Sequence, residues 1–260
     1  MRTGAAYAGS MSEPRLYTFA ERPDLIDHLA ELMTSWPEFM LHSNVAKELW
    51  RDLRAPFFDF QWVLHDEEAD EVVGVGNSIP LFWDGDVGHL PDGFDGVLQA
   101  SVRHLADNVR PNTLSALQAT VSVKRRGQRL SGLLIQTMRT VAGAHGFEHL
   151  IAPARPTWKE RYPLVPIERY MTWRRDDGLP FDPWLRLHEK LGGRMLAPCP
   201  LSTRISASVA EWESWTGMSF PDSGGYVVPG ALALVQIDRE RDVGEHVEPN
   251  VWVRHDPLRA

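Results

Sequence analysis

Apolar residues recur along this chain in two periods, and the alternation between them marks the elements. Residues 15–19 alternate as a short strand. In residues 23–34, Leu25, Ile26, Leu29, Leu32 and Met33 fall at helical spacing and predict an amphipathic helix. Ser43 or Asn44 can cap a second helix bearing Val45, Leu49 and Leu53. Residues 60–66 and 71–82 read as strands, and the acidic link 67–70 joins them as a hairpin. Residues 84–96, rich in Gly and Asp, read as a loop, and residues 96–109 as a helix.

Residues 114–123 form the next predicted strand, with Leu117, Ala119, Val121 and Val123 on one face. Ser131 can cap the helix that follows. Leu130, Leu133, Leu134, Met138, Val141 and Ala142 make its buried stripe, and Gly146 stands where it should end. Residues 149–154 are a compact apolar strand, residues 184–191 a short helix closed by Gly192 and Gly193, and residues 195–255 alternate strand-like runs with Gly/Pro turns. This order predicts an α+β chain on one central mixed sheet, mostly antiparallel, with helices on both faces. Residues 1–14 read as a loose leader, 15–206 as the core, and 207–260 as a strand-rich extension packed on the same domain.

The most informative stretch runs from Leu117 to Leu134. A strand-like alternation enters a short basic turn, and the turn opens a helix. Exposed backbone N–H groups, a helix N-terminus and several arginines then converge on one point, which suits a phosphate or pyrophosphate. The rest of the composition narrows the partners. A net charge of −8 disfavours general nucleic-acid binding, which needs a broad basic surface. No apolar run is long enough to span a bilayer. The single cysteine, Cys199, cannot form an internal disulfide and reads as an inert buried thiol; it fits a cytoplasmic setting. The scattered histidines form no pair with carboxylates at ligand spacing, so no metal is expected.

On these residues the chain resembles the GNAT superfamily of acyl-CoA-dependent N-acyltransferases. In that family a strand leads into a turn of the form Arg/Gln-x-x-Gly-x-Gly/Ala and then a helix. Here the turn reads Arg126-Gly127-Gln128-Arg129-Leu130-Ser131, with Arg129 and Ser131 in place of the two glycines. Downstream, residues 184–193 are similar to the family's late helix, and His188 falls where many members keep a tyrosine near the acyl-CoA sulfur. The two matches and the elements around them cover residues 15–206.

The resemblance implies an enzyme that moves an acetyl or other acyl group from acyl-CoA to a primary amine of a small molecule or an amino terminus. It assigns the pyrophosphate to the amides from Arg126 to Ser131, and the pantetheine arm to the strand edge at Val121 and Val123. An acid must serve the departing thiolate, and His188 is the candidate by position. Glu160 and Tyr162, in the loop after the 149–154 strand, are the candidates for proton transfer on the substrate side. The long stretch 153–183, with aromatics interleaved with arginines, is open to three readings: a substrate clamp, a contact in a homodimer, or a cover for the sheet. A rival functional reading is a non-catalytic GNAT-like module that holds acyl-CoA or a protein partner; Arg129 and Ser131 in the turn speak for it.

Overall fold

The computed structural model describes residues 13–259, with backbone alone for residues 51–54; most of the predicted leader and the Leu53 side chain lie outside the described residues. Among the described residues nine strands form one sheet: β1 (Arg15–Thr18), β2 (Gln61–Asp66), β3 (Glu71–Leu81), β4 (Thr113–Val121), β5 (His149–Ala154), β6 (Arg194–Ala207), β7 (Gly224–Tyr226), β8 (Val235–Asp238) and β9 (Val243–His255). Their order is β1-β2-β3-β4-β5-β9-β8-β7, with β6 along the other edge of β9. Every pair is antiparallel except β4–β5, which is parallel. The helices are α1 (Ala30–Met33), α2 (Asn44–Arg54), α3 (Gly93–Ala106), α4 (Leu130–Ala144), α5 (Ile167–Tyr170), α6 (Pro183–Lys190) and α7 (Val209–Thr216).

The β4–β5 pair sets up everything that follows. It holds only for Thr113–His149, Leu114–Leu150 and Ser115–Ile151. Beyond that, β4 continues to Val121 paired with β3 alone, and β5 turns to β9. The sheet therefore opens between them. A bulge in β4 adds to the parting: the partner of Asn77 is Gln118 but the partner of Ser78 is Ala116, so Leu117 is an extra residue. Such a bulge bends its strand and re-aims its side chains. Ala116, Ala119 and Val121 thus all pack toward α4, although an odd spacing separates the first two. Leu117 packs instead among Ile79, Val97 and Trp252, beneath α2 and α3.

Two helical layers cover the sheet. On one face α4 packs on Leu114 and Leu150, and α5 and α6 pack on Ala154, Val251 and Val253. On the other, α1 covers Val63 and Val75, and α2 and α3 cover Ile79, Ile151 and Trp252. A further core lies under α7 and β8, where Trp212 is fully buried against Phe39, Phe220 and Val235. Local chemistry fixes the helix starts. Ser43 accepts from the Ala46 amide at α2, Asp182 accepts from the Trp184 and Leu185 amides at α6, and Ser208 and Glu211 close a capping box at α7.

Four differences from the sequence pattern have physical causes. Residues 23–33 coil as a 3-10 segment, Pro23–Leu29, before the single turn of α1, yet Leu25, Leu29 and Leu32 still bury the expected stripe. α3 begins at Gly93 instead of Gly96 because Gly93 lies against Ser202, at positive φ, with no room for a Cβ. α7 falls in a run read as strands; its Ser-x-x-Glu cap was the available signal. β9, from the supposed extension, runs between β5 and β6 at the centre of the sheet.

Candidate functional site

The basic turn and α4 border a cleft of about 630 Å³. Val121, Arg126, Gly127, Arg129, Leu130 and Ser131 line it, together with Leu187 of α6 and Leu191 just past its end. Two residues expected there are not among those that line it. Val123 sits in a 3-10 turn past the strand end, where its carbonyl accepts from the Arg126 amide. The Gln128 side chain accepts from Arg125 Nε at 3.0 Å.

The backbone of the turn answers the question raised by its two missing glycines. Arg129 is left-handed, with φ of 63°. It keeps the conformation a glycine would take, at a cost of roughly 1–2 kcal/mol for a residue with a Cβ. Gly127 has φ of 85° and open space around its missing Cβ. Ser131 caps nothing: it stands inside the first turn of α4, and no side chain caps that helix. The amides of Gly127, Arg129, Leu130 and Ser131 have no recorded acceptor among the described residues. Together with the helix dipole, these donors make a cradle for an anion. The exposed guanidinium groups of Arg126 and Arg129 flank it.

Arg125 has a different role from its neighbours. Its guanidinium is buried and pairs at 2.8 Å with the buried Asp66 at the end of β2. Asp66 also accepts from the amides of Glu68 and Ala69. The β2–β3 hairpin thus anchors the turn from beneath. The two residues are 59 apart in sequence, which hid the pairing.

The proton-transfer candidates fall in unequal places. α6 does border the cleft, but through Leu187, with Leu191 just past its end, while His188 faces the core. Its Nδ1 meets His255 Nε2 at 2.9 Å, its Nε2 is buried without a partner among the described residues, and Trp184 packs edge-on against the ring. Burial, then the neighbouring His255, push its pKa down to about 3; burial, then Arg139, push His255 down to about 4. A neutral, sealed imidazole has no proton to give at neutral pH. Gly193 permits the pair, since a Cβ there would meet His255 at 2.7 Å. Glu160 is exposed to solvent. Tyr162 packs among Tyr170, Trp173 and Phe181, in a cluster that lies over Val251 and Val253, so these aromatics of the 153–183 stretch cover the sheet. Cys199 is buried and its thiol is pushed up to about 12 by that burial.

The opposite face of the opening carries polar groups that no sequence pattern announced. Asn77 donates to Gln118 at 2.6 Å, Gln118 donates to Thr120 at 3.1 Å, and the Trp36 indole donates to Thr120 at 3.2 Å. The Trp36 ring lies 5.8 Å from the guanidinium carbon of Arg155, the residue that follows β5. Arg155 in turn pairs with the buried Glu248 of β9, whose second oxygen meets His246 at 2.7 Å. Burial alone would raise the Glu248 carboxyl, but Arg155 and His246 outweigh it and hold it below the usual carboxylate range. Lys159 is buried beside this group, donating to the carbonyls of Tyr162 and Leu232, and burial lowers its pKa to about 8.

Comparison with known proteins agrees with this architecture. The chain is 36% identical to the arginine N-acetyltransferase avaD of Aspergillus versicolor over 271 aligned positions, covering 92% of this chain and 93% of that one. Two solved structures share the fold. The loading GNATL domain of CurA from Lyngbya majuscula has a TM-score of 0.63 at 18% identity, covering 94% of this chain and 98% of that one. The GNAT-like decarboxylase GphF, solved with isobutyryl-CoA, has a TM-score of 0.54 at 21% identity, covering 94% and 100%. No protein-family model matches the chain.

Three outcomes follow from this geometry. Asp66→Asn leaves the buried Arg125 facing a neutral amide, and should lower stability in urea by about 3–5 kcal/mol. Arg129→Gly relieves the left-handed backbone and should raise it by roughly 0.5–1 kcal/mol, the entropy of glycine in the unfolded chain offsetting part of the gain. The histidine pair makes stability depend on acid. Both folded pKa values lie below the unfolded value of 6.5, so the unfolded chain binds more protons in between. The contribution is complete above pH 6.5 and is lost as pH falls toward the folded values, by up to about 1.4 kcal/mol per pH unit for each ring. Denaturation midpoints from pH 7.5 to 4.5 should fall less steeply for His188→Leu than for the wild type.

Proposed function

Because this chain belongs to the GNAT superfamily and is an N-acyltransferase, we propose that its donor is acetyl-CoA and its acceptor a small-molecule amine, with arginine the first candidate. The observation that carries this reading is the cradle at Gly127 and residues 129–131, set where β4 and β5 part. The residues present suit the donor. Four free amides and two exposed guanidinium groups match a pyrophosphate in charge and in hydrogen-bonding sense. The edge of β4 past Ser115, which pairs with no strand among the described residues, offers its backbone groups to the amides of a pantetheine arm, as an added strand would. Leu187 and Leu191 give the cleft an apolar wall.

When bound, the acyl-CoA supplies an electrophilic thioester carbonyl. The work of this chain is then positioning and electrostatics. A backbone N–H on the free edge of β4 polarises the carbonyl and stabilises negative charge on its oxygen. The acceptor enters from the face of Trp36, Thr120 and Arg155, opposite α4, so that donor and acceptor meet inside the opening. An alkylamine has a pKa of about 10 and must shed a proton before it attacks. His188 is sealed in the core and takes no part; the amine gives up its proton to water, its nitrogen bonds to the carbonyl carbon, the carbon–sulfur bond breaks, and the CoA thiolate takes a proton from solvent.

The arginine assignment leans on the Aspergillus versicolor relative. Calorimetry with acetyl-CoA, followed by thiol release across a panel of amines that includes L-arginine, tests the whole reading. Binding with amine-dependent thiol release is the expected result. Binding without release would favour a non-catalytic module, and no binding at millimolar ligand would remove the donor assignment. Arg126→Ala should weaken acetyl-CoA binding by about tenfold at low salt and by less at high salt, since the contact is charge-assisted and exposed. An unchanged affinity at low salt would move the pyrophosphate elsewhere.

A further inference from the structure

Arg155 is held in a way that a purely structural ion pair does not require. Its Nε donates to Glu248 Oε1 and its Nη2 to the Gly230 carbonyl at 2.6 Å. Glu248 is 1% exposed and has both oxygens engaged, one by Arg155 and one by His246. Both oxygens of the carboxylate are therefore engaged, and its burial closes it off from a ligand in the opening. The guanidinium is not saturated. Its side chain is 20% exposed, and Nη1 has no recorded acceptor among the described residues.

Its location adds to this. Arg155 follows directly on β5, on the side of the sheet that carries Ile151 and Trp252, at the end where β4 has already parted from β5. Trp36 is tied to β4 through Thr120 and lies beside the Arg155 guanidinium, so it reaches across the opening from one blade to the other. Gly230, at φ of 83°, carries the carbonyl that holds Nη2, and the same residue abuts Pro37, next to Trp36. Three separate segments thus converge to fix one guanidinium.

Arg155 pairs with Glu248, whose charge also acts on Lys159, and Lys159 is closed off by two backbone carbonyls. A planar guanidinium whose rear edge is already anchored loses little freedom when it takes a carboxylate on its open edge.

We infer that Arg155, braced by Glu248 and the Gly230 carbonyl beside Trp36, is a carboxylate-binding subsite of the transferase. The acceptor amine is then an amino acid held by its carboxylate. This rests on the N-acyltransferase reading. The same chemistry could instead engage a carboxylate on a dicarboxylic acyl group, and the test separates the two.

The experiment compares kcat/KM for L-arginine with that for agmatine, which lacks only the carboxylate. The same pairing, an amino acid against its decarboxylated amine, applies to any better acceptor from the panel. Three proteins are compared: wild type, Arg155→Lys, and the double variant Arg155→Gln/Glu248→Gln, which avoids leaving a buried charge unpaired. The wild type should prefer the amino acid by about tenfold or more, as expected for a charge-assisted pair. That ratio should fall toward one in the double variant and be partly kept in Arg155→Lys. In parallel, calorimetry compares malonyl-CoA with acetyl-CoA. A loss in the double variant confined to malonyl-CoA would place the carboxylate on the acyl group. Equal use of L-arginine and agmatine by the wild type, or an unchanged ratio in the double variant, with no malonyl-CoA preference, would overturn the subsite. A chain that turns over no amine would defeat the acyltransferase reading, while the malonyl-CoA comparison still decides whether Arg155 binds a carboxylate.

Discussion

The site depends on one act of backbone accounting. Peptide N–H and C=O groups must be paired or reach water, and a strand in the middle of a sheet normally has both edges filled. β4 fills one edge with β3 and leaves the other open after Ser115. A row of donors and acceptors is thereby kept in a fixed array at the centre of the fold, where loops could not hold it. The extra residue at Leu117 maintains the gap by turning the rest of β4 away from β5. The turn at residues 127–131 stands at one end of that gap, the polar ladder of Asn77, Gln118 and Thr120 on one face, and Arg155 at the far lip.

The two sides of the gap are supported by different means. The cradle is braced by a buried ion pair, Arg125 with Asp66, and by the packing of Leu130 and Leu134 on the sheet. The side that carries Trp36 and Arg155 is braced by the segment between β6 and β9. Trp212 of α7 packs on Phe39 and donates to the Gly244 carbonyl, Trp215 stacks on His42 at 4.2 Å, and Phe39 meets His246 edge-on. The residues that carry Trp36 are thus clamped from behind by a small apolar core of their own. A GNAT core that lacked this segment would need some other means of holding Trp36 in place.

Much of this was legible in the chain. The strand expected at residues 114–123, the basic turn and the helix after it each obey a local rule, so their place and order could be read directly; the bulge that turns Leu117 to the other face and the exposure of Leu133 in the expected stripe could not. Helix faces were harder. Residues 184–191 form the expected helix and it does reach the cleft, but its register relative to the sheet is decided by Leu185 packing on Ala154 and Val253. That choice turns Leu187 to the cleft and His188 to the core, and no local signal marks it. Arg155 and Glu248 are 93 residues apart, and neither stands in a periodic pattern. Arg129 was visible as a departure from the family's turn. Its backbone conformation was not, because a left-handed arginine obeys the geometry of the turn and not its own preference.

β9 runs through the middle of the sheet, joining β5 on one side and β6 on the other. It also supplies Glu248, and with it the brace for Arg155. Contacts of such long sequence separation require a large loop to close before they return any free energy, and they slow folding accordingly. Until β9 docks, β5 has only its short parallel pairing with β4, and its other edge is exposed. Copies of the chain in which β9 is undocked would present that edge to one another, which makes the docking of β9 the native protection against edge-to-edge pairing.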